Sequence, residues 1–141
     1  MASTYTTKLH LEKPDGDDNI SVLAINGNMD IIDNTCGLTD VTSHFTVNGT
    51  YCEGFHAYKI GRLIFVTMKA KAGTPDQANL ITNISTGYRP IGDTALSTFW
   101  MNWTDAQKHT AAYVMTSAIQ LRTVGDLEGS GGVLVSGCYM I

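Results

Sequence analysis

The chain has 141 residues, 43% of them hydrophobic and 16% charged. That is enough apolar material for one core and too little charge for a disordered tail. A formal net charge of −4 without any basic run argues against nucleic acid or an anionic membrane surface as partner, and no apolar run reaches the roughly 20 residues of a membrane span.

The N-terminus, MASTYTTKLHLEK, lacks the apolar core of a signal peptide. Synthesis and folding in a cytoplasm are therefore expected. Three cysteines, Cys36, Cys52 and Cys138, are odd in number and widely spaced, which predicts reduced, mostly buried thiols and no disulfide framework.

Thr4 to Leu11 alternates, with Tyr5, Thr7, Leu9 and Leu11 on one side, as in a half-buried strand. Lys13-Pro14-Asp15-Gly16 should end it with turn chemistry. The acidic run Asp15, Asp17, Asp18 lacks the spacing and distal Glu of an EF-hand loop, so it reads as a polar turn and no metal site is expected.

Val22, Ile25, Met29, Ile32 and Cys36 then recur at spacings of three and four. This a/d stripe predicts a helix with one narrow apolar seam. Asp18 or Asn19 can cap its start, and Gly37 sits where it should stop. With Gly27 inside it the helix is marginal and needs a packing partner. Either it folds back onto its own chain, or copies of it meet around a symmetry axis.

After Gly37 the polar stretch LTDVTSHFTVNGT reads as a linker or a short pairing strand with a turn at Asn48-Gly49. From Tyr51 a β pattern takes over. Strands are expected at Phe55–Ile60, Arg62–Ala72, Asn79–Ser85, Thr94–Asn102, Ala111–Thr116, Ala118–Val124 and Val133–Met140, with turns spaced as in a sandwich or barrel. In the second of these, Ile64, Val66, Met68, Ala70 and Ala72 share one face, while Leu63 and Phe65 open the other, so its start should be buried on both sides. The expected organisation is an N-terminal segment, residues 1–50, and a β head, residues 51–141.

The stretch YTTKLHLEKPDGDDNISVLAINGNMDIIDN resembles the start of tail-fibre and receptor-binding proteins of phages and prophages of Gram-positive bacteria. Those proteins carry a threonine-rich strand, a Pro, an acidic turn and a helix with an Asn-x-Asn-apolar-Asp-x-apolar-Asp run, here Asn26, Asn28, Met29, Asp30, Ile32 and Asp33. Lys59-Ile60-Gly61-Arg62, Gly87-Tyr88-Arg89-Pro90 and Ser136-Gly137-Cys138-Tyr139-Met140-Ile141 are similar to pieces of their small head domain. The resemblance implies a mainly β fold, a jelly-roll-like antiparallel sandwich head behind a strand and a short helix. It also implies a homotrimer, with Val22, Ile25, Met29 and Ile32 at the threefold seam. Further implications are a place in a virion tail among other tail or baseplate proteins, a bacterial cell-wall polysaccharide or teichoic acid as partner, and no cofactor. No long shaft separates helix from head, which departs from the family pattern.

Cys52 and His56 lie four apart, on one face of a regular strand, and a Cys–His pair can serve as nucleophile and base. No third group or oxyanion hole accompanies them, and His10, His44, His56 and His109 show no metal-ligand spacing. Structural roles are expected for all of them, and no enzymatic activity.

Phe99-Trp100-Met101-Asn102-Trp103-Thr104-Asp105 is the sharper feature. In a strand, Phe99, Met101 and Trp103 point one way and Trp100 and Asn102 the other. A small head cannot enclose both faces, so one Trp belongs at the surface or a subunit interface. An exposed Trp beside Asn102, Asp105 and His109 suits a sugar, with Tyr88, Arg89 and Tyr113 as possible neighbours. Three functions follow: a glycan-binding attachment protein, a structural or assembly component of a tail without a glycan site, or a small glycan-processing enzyme.

Overall fold

The computed structural model describes residues 4–7, 11–13, 22–100, 110–123 and 131–141. It separates into two compact units, Met1–Leu38 and Thr39–Ile141. The second unit therefore takes in residues 39–50, which sequence reasoning assigned to the N-terminal segment. The reason is pairing: short strands in that stretch join the main sheet.

In the first unit, β1 (Thr4–Tyr5) and β2 (Glu12–Lys13) form a two-stranded antiparallel ladder, Thr4 opposite Lys13 and Tyr5 opposite Glu12. This corrects the expectation of one strand from Thr4 to Leu11. The chain turns back after Tyr5 because Thr6 holds Leu11 twice: its N–H donates to the Leu11 carbonyl, and its Oγ1 accepts from the Leu11 N–H, both at 2.8 Å. Lys13 closes this ladder. The rest of the expected turn, the acidic run and the capping candidates Asp18 and Asn19 lie outside the described residues.

Helix α1 covers Val22–Cys36, as the stripe predicted. It stops at Gly37, whose N–H donates to the Asp33 carbonyl at 2.7 Å. A Cβ on Gly37 would collide with that same oxygen, so glycine is required by close approach. No residue of α1 is buried. Ala24, Asn28, Ile31 and Thr35 are half-covered, whereas the neighbouring line of Ile25, Met29, Ile32 and Cys36 is exposed.

The second unit contains β3 (Thr39–Asp40), β4 (Phe45–Val47), β5 (Cys52–Ile60), β6 (Leu63–Ala70), β7 (Asn79–Ile84), β8 (Thr94–Trp100), β9 (Thr110–Val114), β10 (Ile119–Thr123) and β11 (Val133–Met140). They make one sheet in the order β3-β5-β6-β11-β8-β9-β10-β7-β4, and every described pairing is antiparallel. Its outermost strands, β3 and β4, are separated in the chain only by residues 41–44, so the sheet must curl until its two ends approach. Thr42 fastens that connection: its hydroxyl oxygen accepts from the Ala57 N–H at 3.0 Å, and its own N–H donates to Asp40 Oδ1 at 2.8 Å. The second bond holds the Asp40 carboxyl below its ordinary pKa.

The curled sheet closes around Ile64, Met68, Leu80, Ile81, Ile84, Val114, Ile119, Leu121, Val133 and Val135, all fully buried. Along β6 the inward set Ile64, Val66, Met68 and Ala70 is buried as alternation predicts, whereas Ala72, expected on the same face, lies beyond the end of the strand in a turn and is exposed. Leu63 and Phe65 are 37% and 39% exposed, correcting the expectation of burial on both faces: nothing described covers the outer face there. Cys52 is buried, while Cys36 and Cys138 are exposed free thiols, so burial holds for one cysteine of the three.

Candidate functional site

The aromatic segment expected to contact a ligand is largely out of view. Asn102, Trp103, Asp105 and His109 lie outside the described residues. Of Trp100 the backbone is described, at the end of β8 opposite Val133 on β11.

Tyr88 and Arg89 belong to the other end of β11. The Tyr139 hydroxyl donates to the Tyr88 carbonyl at 2.8 Å, and burial pushes the Tyr139 phenol up from its ordinary pKa. The Tyr88 ring stacks on His44, centroids 4.0 Å apart and planes 18° apart. Arg89 Nε donates to the Ile84 carbonyl at 3.0 Å. From Val133 to Tyr139 the strand runs about 20 Å at ~3.4 Å per residue. The fold therefore does not bring Tyr88 and Arg89 to Trp100, and both are engaged in holding the short helical turn Thr86–Tyr88 to the core.

Cys52 and His56 are also separated, on opposite faces of β5. Glu53 pairs with Lys69 and His56 with Thr67, so Gly54 and Phe55 together oppose Met68. That extra residue is a β-bulge with Gly54 at a φ of 61°. It turns Cys52 and Phe55 inward and His56 outward, which no nucleophile–base pair can use.

A cleft that sequence reasoning did not assemble lies on the outer face of β9 and β10. Ala112, Val114, Ile119 and Leu121 are fully buried; by alternation Tyr113, Met115, Gln120 and Arg122 face out. Tyr113 sits directly opposite Gln120, and on its other side opposite Ala95 of β8. Asp93, just before β8, joins them among the described residues that line a cleft of about 390 Å³. Gln120 is anchored by its amide nitrogen, which donates to the Gln77 carbonyl at 2.9 Å. Its Oε1 is shielded from solvent and has no described partner. The charged groups of Asp93 and Arg122 make no ion pair among the described residues. Tyr113 was singled out only as a possible neighbour of the Trp segment; Asp93, Gln120 and Arg122 were missed. The period-two pattern of residues 111–122 carried the signal for all but Asp93, whose place depends on the β8–β9 pairing.

A second outward feature is apolar. Ile60, Leu63 and Met140 form one cross-strand row, and Tyr58, Phe65 and Cys138 the next. Ile60, Leu63, Phe65 and Met140 are 37–49% exposed, and no charge interrupts the two rows. Further along the same face the Lys69–Glu53 ion pair, at 2.6 Å, holds the Glu53 carboxyl below its ordinary pKa.

Among the described residues no group of three His, Cys, Asp or Glu side chains converges as metal ligands would, and no described helix is long and apolar enough to cross a membrane. No protein-family model and no curated protein matches the chain.

Proposed function

We propose that this chain is a trimeric, phage-type attachment protein whose β head binds a glycan of the bacterial cell surface, with no enzymatic step. The observation that carries the proposal is the uncovered stripe of α1. Val22, Ile25, Met29 and Ile32 are 69%, 45%, 63% and 41% exposed, although their spacing is that of a packed seam. A 15-residue helix with an internal glycine is marginal in water, and a mixture of β-branched and linear seam residues does not select a dimer. Three copies about an axis bury the stripe. The head is read as a jelly-roll-like sandwich, since β3 and β4 are joined by so short a link that the sheet folds back over its own core. The resemblance to receptor-binding proteins of Gram-positive phages supplies the glycan and the tail location.

The outward rows of Ile60, Leu63, Met140, Tyr58, Phe65 and Cys138 favour a second reading, a structural tail component that buries this face against another tail protein. Co-sedimentation with purified Gram-positive cell walls separates the two. The first reading expects binding that is lost when the wall glycopolymers are stripped. Absence of binding to a panel of such walls would favour the second.

A further inference from the structure

We infer that the cleft lined by Asp93, Tyr113, Met115, Gln120 and Arg122 is a subsite for a neutral saccharide, an inference that rests on the attachment reading for the source of the sugar.

A sugar ring offers a C–H face that packs on an aromatic ring and an edge of hydroxyls that need both donors and acceptors. The cleft holds each counterpart. Tyr113 is 39% exposed and lies in the middle of β9, held at register between Ala95 and Gln120, so its ring is carried by a rigid ladder and not by a loop. Met115 extends the apolar surface. Asp93 accepts from hydroxyls, and Arg122 donates to hydroxyl or ring oxygens.

Gln120 brings an unmet polar group to the cleft. Its amide nitrogen is committed to Gln77, and its carbonyl oxygen is buried without a described partner. A buried acceptor left unpaired is unfavourable. A ligand hydroxyl pairs with Oε1 once the Gln120 side chain turns to uncover that oxygen to the cleft.

The charges select the class of saccharide. A carboxylate and a guanidinium line the same cleft without pairing. A phosphorylated or carboxylated glycan gains Arg122 but meets Asp93. A polyhydroxylated neutral ring uses both. The volume of about 390 Å³ is at the lower end of small-ligand sites, which fits one or two sugar rings.

The test is a titration of the full chain, observed through its backbone amide spectrum, with galactose, glucose, N-acetylglucosamine, rhamnose and glycerol 1-phosphate separately. At least one neutral sugar should shift Tyr113, Gln120 and Arg122 saturably. Tyr113→Ala should weaken that binding about tenfold, and Tyr113→Phe should keep most of it. Arg122→Met, with an unchanged folded spectrum, should weaken it as well. The subsite is refuted if no neutral sugar shifts these residues, if glycerol 1-phosphate alone does so, or if Tyr113→Ala leaves sugar binding unchanged. Wall co-sedimentation of Tyr113→Ala keeps the two readings apart. Undiminished wall binding alongside lost sugar binding leaves attachment standing through another site. Sugar binding by a chain that ignores every wall overturns attachment and keeps the subsite.

Discussion

Cys52 shows what one buried side chain contributes. It is 2% exposed, and burial pushes its thiol up from 9.0 to about 11. A folded-state value raised above the unfolded one gives stability that is whole below about pH 9 and is lost as pH rises through about 11. Urea unfolding at pH 8 and pH 11, compared between the native chain and Cys52→Ala, should show the native chain losing more stability than the variant over that interval. At pH 8, iodoacetamide should leave Cys52 unmodified until the chain unfolds. Equal alkaline losses in both proteins would place the sensitivity elsewhere.

At the scale of elements, α1 and the head strands are stabilised differently. The strands bury alternate residues in a shared core, whereas α1 has no buried residue. On the trimer proposal, its stability comes from assembly. Replacing Ile25 and Ile32 by Asp puts carboxylates into the proposed three-chain seam, where they are desolvated and repel one another. Sedimentation equilibrium at micromolar concentration should find a trimer for the native chain and a monomer for the double variant, with the β signature of the head retained. Gly27 offers a second test of that proposal. A Cβ there meets nothing within 4 Å, so Gly27→Ala should stabilise the helix by about 1 kcal/mol and lower the concentration at which the assembly dissociates. A native chain that remains monomeric at micromolar concentration would end the trimer proposal.

For the whole molecule, the division between Leu38 and Thr39 has a direct consequence. Among the described residues the buried core cluster runs from Val41 to Tyr139, so residues 39–141 are expected to fold as a head on their own. A chain of those residues should unfold in one cooperative transition near that of the full-length head, monitored by circular dichroism. A chain starting at 51 lacks β3 and β4, along with buried Val41 and Phe45, and should be severely destabilised or fail to fold. If the 51–141 chain matched the 39–141 chain in stability, the two strands would not be integral to the head.

Local pattern was sufficient for α1, for its stop at Gly37 and for β11, because a three-and-four spacing and a period-two alternation are properties of neighbours in the chain. The inward set of β6 was legible for the same reason. Pattern misled where one residue breaks the period: Gly54 inserts a bulge, and Cys52 and His56 leave the common face that their spacing promised. It also misled at Leu63 and Phe65, since alternation tells which residues share a face but not whether another layer covers it. The strand expected from Thr4 to Leu11 failed because hydrogen bonds between Thr6 and Leu11 reverse the chain within an unbroken alternating run. The cleft is the clearest case of tertiary decision. Asp93, Tyr113 and Gln120 come from three separate segments, and only the ladders β8–β9 and β9–β10 set them side by side. Tyr88 and Trp100, closer in sequence than Asp93 is to Arg122, end up at opposite ends of β11. Strand pairing is a long-range choice made by closure of the core, and no local spacing encodes it.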